Sequence, residues 1–570
     1  MVVAGTVSQR VAMQLKAGFV FVAASHARAV VALLLLCLCT FLPGFFTIPP
    51  VDREEARFAQ ASKQMIETGD LVDIRFQDQA RHNKPVGIYW LQAAAAKAGE
   101  GIGVPQARTR IWLYRIPSLL GAIGAVLLTY WVALAFVGRG AALIAGVMTA
   151  SSFLLNLEAR LATTDAVLLA TLLAAQGALG RAYLEGYGLY FGAGQPWRLP
   201  AIFWTALAFG VLIKGPLILV FVALTAIPLV IVDRSAQFML RLRPLPGLAW
   251  MLLLVLPWMM AIFVRSGSAV LLASIEGNFL AKAGSVQETH WGPPGYYFAL
   301  FWLTFFPGAM LAPMAAGAVY KERFAPETRF LIAWLVPSWL VLELMMTKLP
   351  HYILPLYPAI AILTAGAIER GTLSHNAWLR RSPVWWFILT SFAAIGIVIL
   401  HIVIGHRAGF AAWPFLVGAV IISLFAWWLF DVDGVVVSFL RAAFAAILLY
   451  VGLFGATFPA IENLFPSRLV AQVVRWHGCE HPDIASSGFF EPSLVFLLGT
   501  DVNFGSGSAA ADYLRHGECR FAIIEKSQER AFLNRADAIG LRYALGSRID
   551  GYNVSSGRAV SLAIFRGRAP

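Results

Sequence analysis

The chain has 570 residues, of which 59% are hydrophobic and only 13% charged, about half the charge content of a soluble domain. That composition excludes a disordered chain, a collagen and a disulfide-packed secreted scaffold. Apolar runs that are continuous rather than alternating argue against a membrane barrel. The formal net charge of +13 reads as the loop cations of a helical membrane protein and not as a nucleic-acid footprint.

Crossing a bilayer core takes about 20 residues of helix. Taken in chain order, thirteen candidate spans are predicted: 29–46, 112–136, 141–157, 161–181, 200–213, 216–232, 246–264, 295–318, 328–346, 352–368, 384–405, 411–430 and 437–458. The first follows Arg10, Lys16 and Arg28 and runs into Pro49-Pro50 without an A-x-A cleavage site, so it reads as an uncleaved anchor. The fifth and sixth are separated only by Lys214-Gly215-Pro216, as broken helices or a re-entrant hairpin would be. With the N-terminus inside, about fifteen Lys and Arg fall in inner connections and about six in outer ones. The bias predicts a cytoplasmic N-terminus and puts the tail outside.

Two regions are not spans. Segment 49–111 carries mixed charge and two helical patterns. In the first, Arg57, Ala61 and Gln64 share one face and Phe58, Met65 and Ile66 another; the second is 87–98, with Tyr89 and Trp90 at headgroup depth. The chain then divides into a membrane domain, 1–464, and a soluble α/β tail, 465–570. In the tail, SLVFLL (493–498), RFAIIE (520–525) and AVSLAIF (559–565) read as strands and 527–538 as a helix. Cys479 and Cys519 both fall in this outer tail, where oxidation is permitted, and are expected to form a disulfide.

Ionisable residues held at span ends in short connections are the informative ones. Six clusters qualify: PPVDREEARF (49–58), RHNKPVGIYW (81–90), LEARLATTDA (157–166), IKGP (213–216), QETHWGPPGYY (287–297) and TKLPHYILPLYP (347–358). All six emerge on the outer side in the predicted topology. A site at one membrane face fits this distribution. A transporter or flippase of lipid-linked sugars, the alternative reading, needs ionisable groups near the midplane, where Glu343 is the clear carboxylate. A scaffold that binds partners gives no reason for the series.

The run DREEARFAQASKQMIETGD, then HNKPVGIYW, an Asp within TTDA, KGP and KLPHYILPLYP resembles, in this order and over about residues 45–360, the ArnT-like, family-39-type bacterial membrane glycosyltransferases. These belong to the GT-C superfamily, with the lipid A aminoarabinose transferases and the protein O-mannosyltransferases. The resemblance implies a polytopic α-helical GT-C fold with about thirteen transmembrane helices. It implies interfacial helices in the first outer loop and a small periplasmic C-terminal domain, in the bacterial inner membrane. It also implies a sugar donor carried on polyprenyl phosphate, with an envelope acceptor: lipid A or LPS, another glycolipid, or protein. One departure stands out. The family's Asp-Glu pair is here Glu54-Glu55, so either Glu54 replaces the aspartate or Asp52 takes its role.

Glycosyl transfer passes through an oxocarbenium-like centre. A hydroxyl acceptor needs a carboxylate base, and the departing phosphate needs cations. Glu54, Glu55, Asp52 and Asp165 are the candidate catalytic carboxylates. Arg57, Lys84, Lys214 and Lys348 are the candidate donor-phosphate ligands. Tyr89, His290, His351 and Tyr352 are candidate substrate contacts, and the two histidines could instead hold a divalent metal; no other cofactor is expected. Plainer roles exist for several of these. Asp52 or Asp165 could cap a helix, Lys214 could snorkel, and the aromatics could form an interfacial belt.

Overall fold

The structure is a computed structural model that describes residues 2–82, 84–190, 196–266, 292–479, 482–515, 517 and 519–567. Of the predicted site residues, His290 lies outside the described residues.

Among the described residues, seven helical stretches are long and apolar enough to cross a membrane, eight if a bent N-terminal pair counts as one span. That pair is α1 (Val2–Ala23) and α2 (His26–Phe41), which meet at 118°. The first loop folds as α3 (Glu54–Thr68), a small hairpin of β1 (Arg75–Phe76) and β2 (Gln79–Ala80), and α4 (Gly87–Gly101). Then come α5 (Ile111–Ala133), α6 (Arg139–Ser151), α7 (Phe153–Glu158), α8 (Asp165–Glu185), α9 (Arg198–Lys214), α10 (Leu217–Asp233), α11 (Gln237–Arg241) and α12 (Pro244–Ser266). They are followed by α13 (Tyr296–Thr304), α14 (Ala312–Lys321), α15 (Pro326–Leu344), α16 (Tyr357–Glu369), α17 (Val384–Val403), α18 (Trp413–Trp428), α19 (Phe430–Asp433) and α20 (Val435–Tyr450).

Several of the thirteen predicted spans are shorter or broken pieces. The run 141–157 divides at Ser152, whose backbone is extended (φ −64°, ψ 133°) and whose Oγ donates to the Thr149 carbonyl at 2.8 Å. The run 295–318 becomes α13 and α14, separated by a stretch that holds Pro307. Helices α9 and α10 are 17 residues each. The chain turns between them at Gly215, whose φ of 72° is a conformation that costs glycine little and other residues more.

The tail begins with α21 (Pro466–Trp476) and builds one mixed sheet of β3 (Asp483–Ser487), β4 (Asn503–Phe504), β5 (Arg520–Glu525), β6 (Tyr543–Asn553) and β7 (Arg558–Gly567), in the order β4-β3-β5-β7-β6. The three strands β4, β3 and β5 are parallel, and β7 is antiparallel to both β5 and β6. Alternation along β5 feeds two cores. Phe521 and Ile523 join Val470, Val474 and Leu494, while Ala522 and Ile524 join Leu514, Phe532 and Phe565. The helices α22 (Pro492–Leu498), α23 (Gly507–Leu514) and α24 (Lys526–Ala538) complete the domain. A disulfide joins Cys479 to Cys519.

Two local expectations are corrected. SLVFLL is α22 and not a strand. An uninterrupted apolar run has no period that separates a buried strand from a buried helix, and Pro492 at its first turn favours the helix. The first-loop helix α3 does not lie on an open interface. Its middle, from Gln60 to Met65, is buried, because α22 of the tail packs over it. Polar bonds fasten the two. Lys63 Nζ donates to the Phe496 carbonyl at 3.1 Å, and Gln77 Nε2 donates to the Thr500 and Val502 carbonyls at 2.9 and 2.8 Å. Thr500 Oγ1 accepts from Gln60 Nε2 at 2.8 Å and donates to Glu67 at 2.7 Å.

Candidate active site

A pocket lies where α8 begins, where α9 gives way to α10 and where the 3₁₀ segment Pro350–Leu356 passes. Lys84, Asp165, Lys214, His351 and Tyr352 supply its polar wall, and Leu168, Phe221 and Leu342 are among its apolar residues. Four of the six sequence clusters therefore meet here, from segments that are far apart in the chain. The break at Gly215-Pro216 ends α9 with Lys214 at the pocket instead of continuing it along a helix face.

The charges in the pocket are arranged in contact. Lys214 Nζ donates to Asp165 Oδ1 at 2.5 Å, with both side chains over nine-tenths buried. The ammonium also lies 5.5 Å from the centre of the Tyr352 ring. His351 stands with Nε2 3.9 Å from Asp165 Oδ1 and Nδ1 4.0 Å from Glu158 Oε1. The charge of Lys84 acts on Asp165 and His351, and that of Glu54 acts on His351 and Tyr352. Glu158 accepts from Thr163 Oγ1 at 2.8 Å. Glu158, Asp165 and His351 each offer one ligand atom within 4.8 Å of the others. Two oxygens and an imidazole nitrogen could hold a divalent cation, although the Lys214 ammonium already neutralises Asp165.

The two glutamates of the first motif differ in environment. Glu55 is 2% exposed and its carboxylate is saturated. It accepts two bonds from Arg115 (2.7 and 2.8 Å), one from the Val51 amide (2.8 Å) and one from the Ala162 amide (2.9 Å). Arg115 in turn donates to the carbonyls of Phe45, Ile48 and Pro49 at 2.8–3.2 Å. This ion pair pins the start of the first loop to α5 and to the turn before α8. Glu54 is more than half exposed, with Arg81 NH2 3.3 Å from its Oε2. Arg57 lies one turn further along α3.

The remaining predicted residues have other surroundings. Asp52 does not cap α3, whose N-cap is Arg53 at φ 67°; its carboxylate instead accepts the Ser493 amide in the first turn of α22, at 3.0 Å. Burial and the nearby Glu491 raise its carboxyl to about 7. Asp165 makes no cap bond either, since α8 has Thr164 at its N-cap without a side-chain bond. Lys348 is 5% exposed, and its ammonium donates to the carbonyls of Glu343 and Met345 at 2.9 and 2.7 Å. Tyr89 is not an exposed belt residue. It is fully buried against Phe58, with ring centres 5.3 Å apart, and its hydroxyl accepts from Arg81 at 3.3 Å. Glu343 accepts the amides of Gly295 and Phe298 at 3.0 and 3.1 Å, so it caps α13 and is not a midplane carboxylate poised for transport.

Glu158, Arg81 and Arg115 were not among the predicted site residues. Glu158 stands in the quoted LEARLATTDA motif, and a carboxylate seven residues before Asp165 at a span end was the available signal. Arg115, an arginine inside an apolar run, was another.

No family model matches the chain. The undecaprenyl phosphate-alpha-4-amino-4-deoxy-L-arabinose arabinosyl transferase of Edwardsiella ictaluri is 25% identical over 365 residues, which is 60% of this chain and 58% of that protein. Its namesake from Aeromonas hydrophila is 26% identical over 359 residues, 59% of this chain and 61% of that protein. The chain thus matches less than two thirds of the length of these relatives. The crystal structure of ArnT from Cupriavidus metallidurans bound to undecaprenyl phosphate superposes with a TM-score of 0.73 at 18% identity, covering 95% of this chain and 98% of that one. The apo form of the same protein gives 0.71, covering 94% and 97%. In fold over nearly its whole length, and in sequence over about three fifths of it, this multi-pass membrane protein is ArnT-like.

Proposed function

We propose that the chain is an integral-membrane glycosyltransferase that moves a sugar from a polyprenyl-phosphate donor to an envelope acceptor, lipid A being the first candidate. The observation that carries this reading is the pocket itself. Lys84 and Lys214 stand beside Asp165 and His351 at one end of the bundle, with an apolar wall beneath them. A phosphate on a long hydrocarbon needs cations at the rim and hydrophobic surface below, and a sugar acceptor needs carboxylates on the same side. The names of the sequence relatives, and the undecaprenyl phosphate bound to the structural relative, support the same donor class.

In this reading Lys84 and Lys214 take the leaving phosphate and Arg57 backs them. Glu54, exposed and directed by Arg81, is the carboxylate that receives or orients the acceptor. The attack comes from the face opposite the phosphate and inverts the anomeric centre. If the acceptor is itself a phosphate, Glu54 orients it and takes no proton. Glu55 and Lys348 hold backbone in position. Asp165 keeps Lys214 aimed at the pocket, and His351 and Tyr352 border the sugar. We take the short and broken helices as further membrane segments, which brings the count to about thirteen. The N-terminus is then cytoplasmic and residues 465–570 are a periplasmic domain.

The test is transfer by purified protein in detergent or nanodiscs, with undecaprenyl-phosphate aminoarabinose and lipid A as the first substrate pair. Lys214→Ala should lower donor use about tenfold or more, the usual worth of one charge-assisted contact. Wild-type donor use by this variant, in protein that inserts normally, would remove the pocket from the reaction.

A further inference from the structure

We propose that the end of the bundle opposite this pocket carries a second, separate binding site, an arginine groove for the phosphate of an anionic lipid. The placement follows from the helices. Asp165 opens α8 at the pocket, and Arg181 lies 16 and Glu185 20 residues further along, towards and at its other end. At about 1.5 Å per residue that is roughly 30 Å, one bilayer core. Helix α9 has the opposite sense, with Lys214 at the pocket and Arg198 at its far end.

Five arginines line the groove, Arg139, Arg181, Arg198, Arg241 and Arg243, and Glu185 is the one acidic residue among its lining. They come from four helices and a turn. A run of loop cations alone would be the ordinary bias of one membrane face. What distinguishes this group is how its members are held. Arg181 is 4% exposed, lies 3.7 Å from the centre of the Trp131 ring and donates to the Gly177 carbonyl at 3.1 Å. Arg243 stacks 3.7 Å from the Trp197 ring centre. Arg241 donates to the Ala182 carbonyl at 3.1 Å and Arg139 to the Ala24 carbonyl at 2.8 Å.

Ring faces and carbonyls orient a guanidinium without cancelling its charge. Arg181 is buried and held by carbonyls at both terminal nitrogens, so it contributes charge. The more exposed Arg139, Arg198 and Arg241 and the half-buried Arg243 are the guanidiniums open to a phosphate, which accepts such groups bidentately. The ligand is therefore an anion with several oxygens. Trp131, Leu199 and Ile202 supply apolar wall beside the cations. A soluble phosphate has no use for that surface, whereas a lipid places its glycerol and upper acyl chain there.

The experiment uses the full-length protein purified in a neutral detergent. Native mass spectrometry or microscale thermophoresis follows binding of dioleoylphosphatidylglycerol, with dioleoylphosphatidylcholine as the zwitterionic control and inorganic phosphate as the soluble one. Phosphatidylglycerol should bind at least tenfold more tightly than phosphatidylcholine. The double variant R198Q/R243Q should lose that preference. R198K/R243K keeps the charge but not the fork and should fall between that variant and the wild type, and an unchanged unfolding temperature for R198Q/R243Q separates loss of charge from misfolding. Arg530→Gln, on α24 of the tail, removes a cation from neither pocket and should leave the binding unchanged. Equal binding of the two lipids, or an unchanged preference in R198Q/R243Q, overturns the proposal. Displacement of phosphatidylglycerol by millimolar inorganic phosphate also overturns it and makes the groove a soluble-anion site.

Discussion

Replacing Glu55 and Glu54 in turn separates framework from chemistry, because the two neighbours sit in opposite environments. Glu55→Gln removes the charge that balances Arg115, a guanidinium with no exposed surface. Breaking a buried pair from one side typically costs about 3–5 kcal/mol. The four bonds into the Glu55 carboxylate and the three carbonyls around Arg115 leave little room for water to compensate. Arg115→Met strands the carboxylate in the same way, though two backbone amides still solvate it. The double variant leaves no charge unbalanced and should cost less than the sum of the two by about 2 kcal/mol or more. Glu54→Gln loses one exposed contact, worth at most about 1 kcal/mol, but should lower single-turnover transfer about 10²–10⁴-fold. Thermal unfolding in detergent reads the first three variants and single-turnover transfer reads the last. Wild-type stability in Glu55→Gln would refute the framework role. Normal turnover in Glu54→Gln, with loss in Asp52→Asn, would refute the assignment of the chemistry.

Three other outcomes follow from named contacts. Lys348→Met should destabilise the turn after α15 by about 1–3 kcal/mol, because two carbonyls lose their donor; unchanged stability with lost donor binding would instead give Lys348 a direct place on the phosphate. The Asp52 carboxyl is raised from 3.8 to about 7, so its contribution to docking of the tail on the first loop is full below pH 3.8 and is lost as the pH rises through about 7. The protection factors of amides at the α3–α22 contact, taken against the unstructured exchange rate at each pH, should fall from pH 5 to pH 8 in the wild type and stay level in Asp52→Asn; an equal fall in both would assign it to another group. Reducing the Cys479–Cys519 disulfide, which spans 40 residues, should lower the stability of the tail by about 2–4 kcal/mol, and proteolysis of reduced and oxidised protein compares them directly.

Much of this molecule follows from one-dimensional pattern. Apolar runs set the membrane class, the order of the charged motifs pointed to the ArnT-like fold, and RFAIIE read as a strand, which is β5. These are local or additive properties, and neighbours along the chain carry them. What pattern along the chain does not decide is how each group is packed and which partner it takes. Nothing near Glu55 announces that its partner is Arg115, 60 residues away, and so nothing separates it from the exposed Glu54. Lys348 reads as a phosphate ligand until carbonyls of the preceding turn occupy its ammonium. SLVFLL has no period to betray its helix. Asp52 shifts upward because packing buries it and the tail, more than 400 residues later, brings the Glu491 carboxylate near, against the opposing pull of the Ser493 bond. Burial and partner choice set the chemistry of an ionisable group, and both are properties of the packed chain: composition placed the charges at the membrane faces, and tertiary structure decided which of them are neutralised and which are left to act.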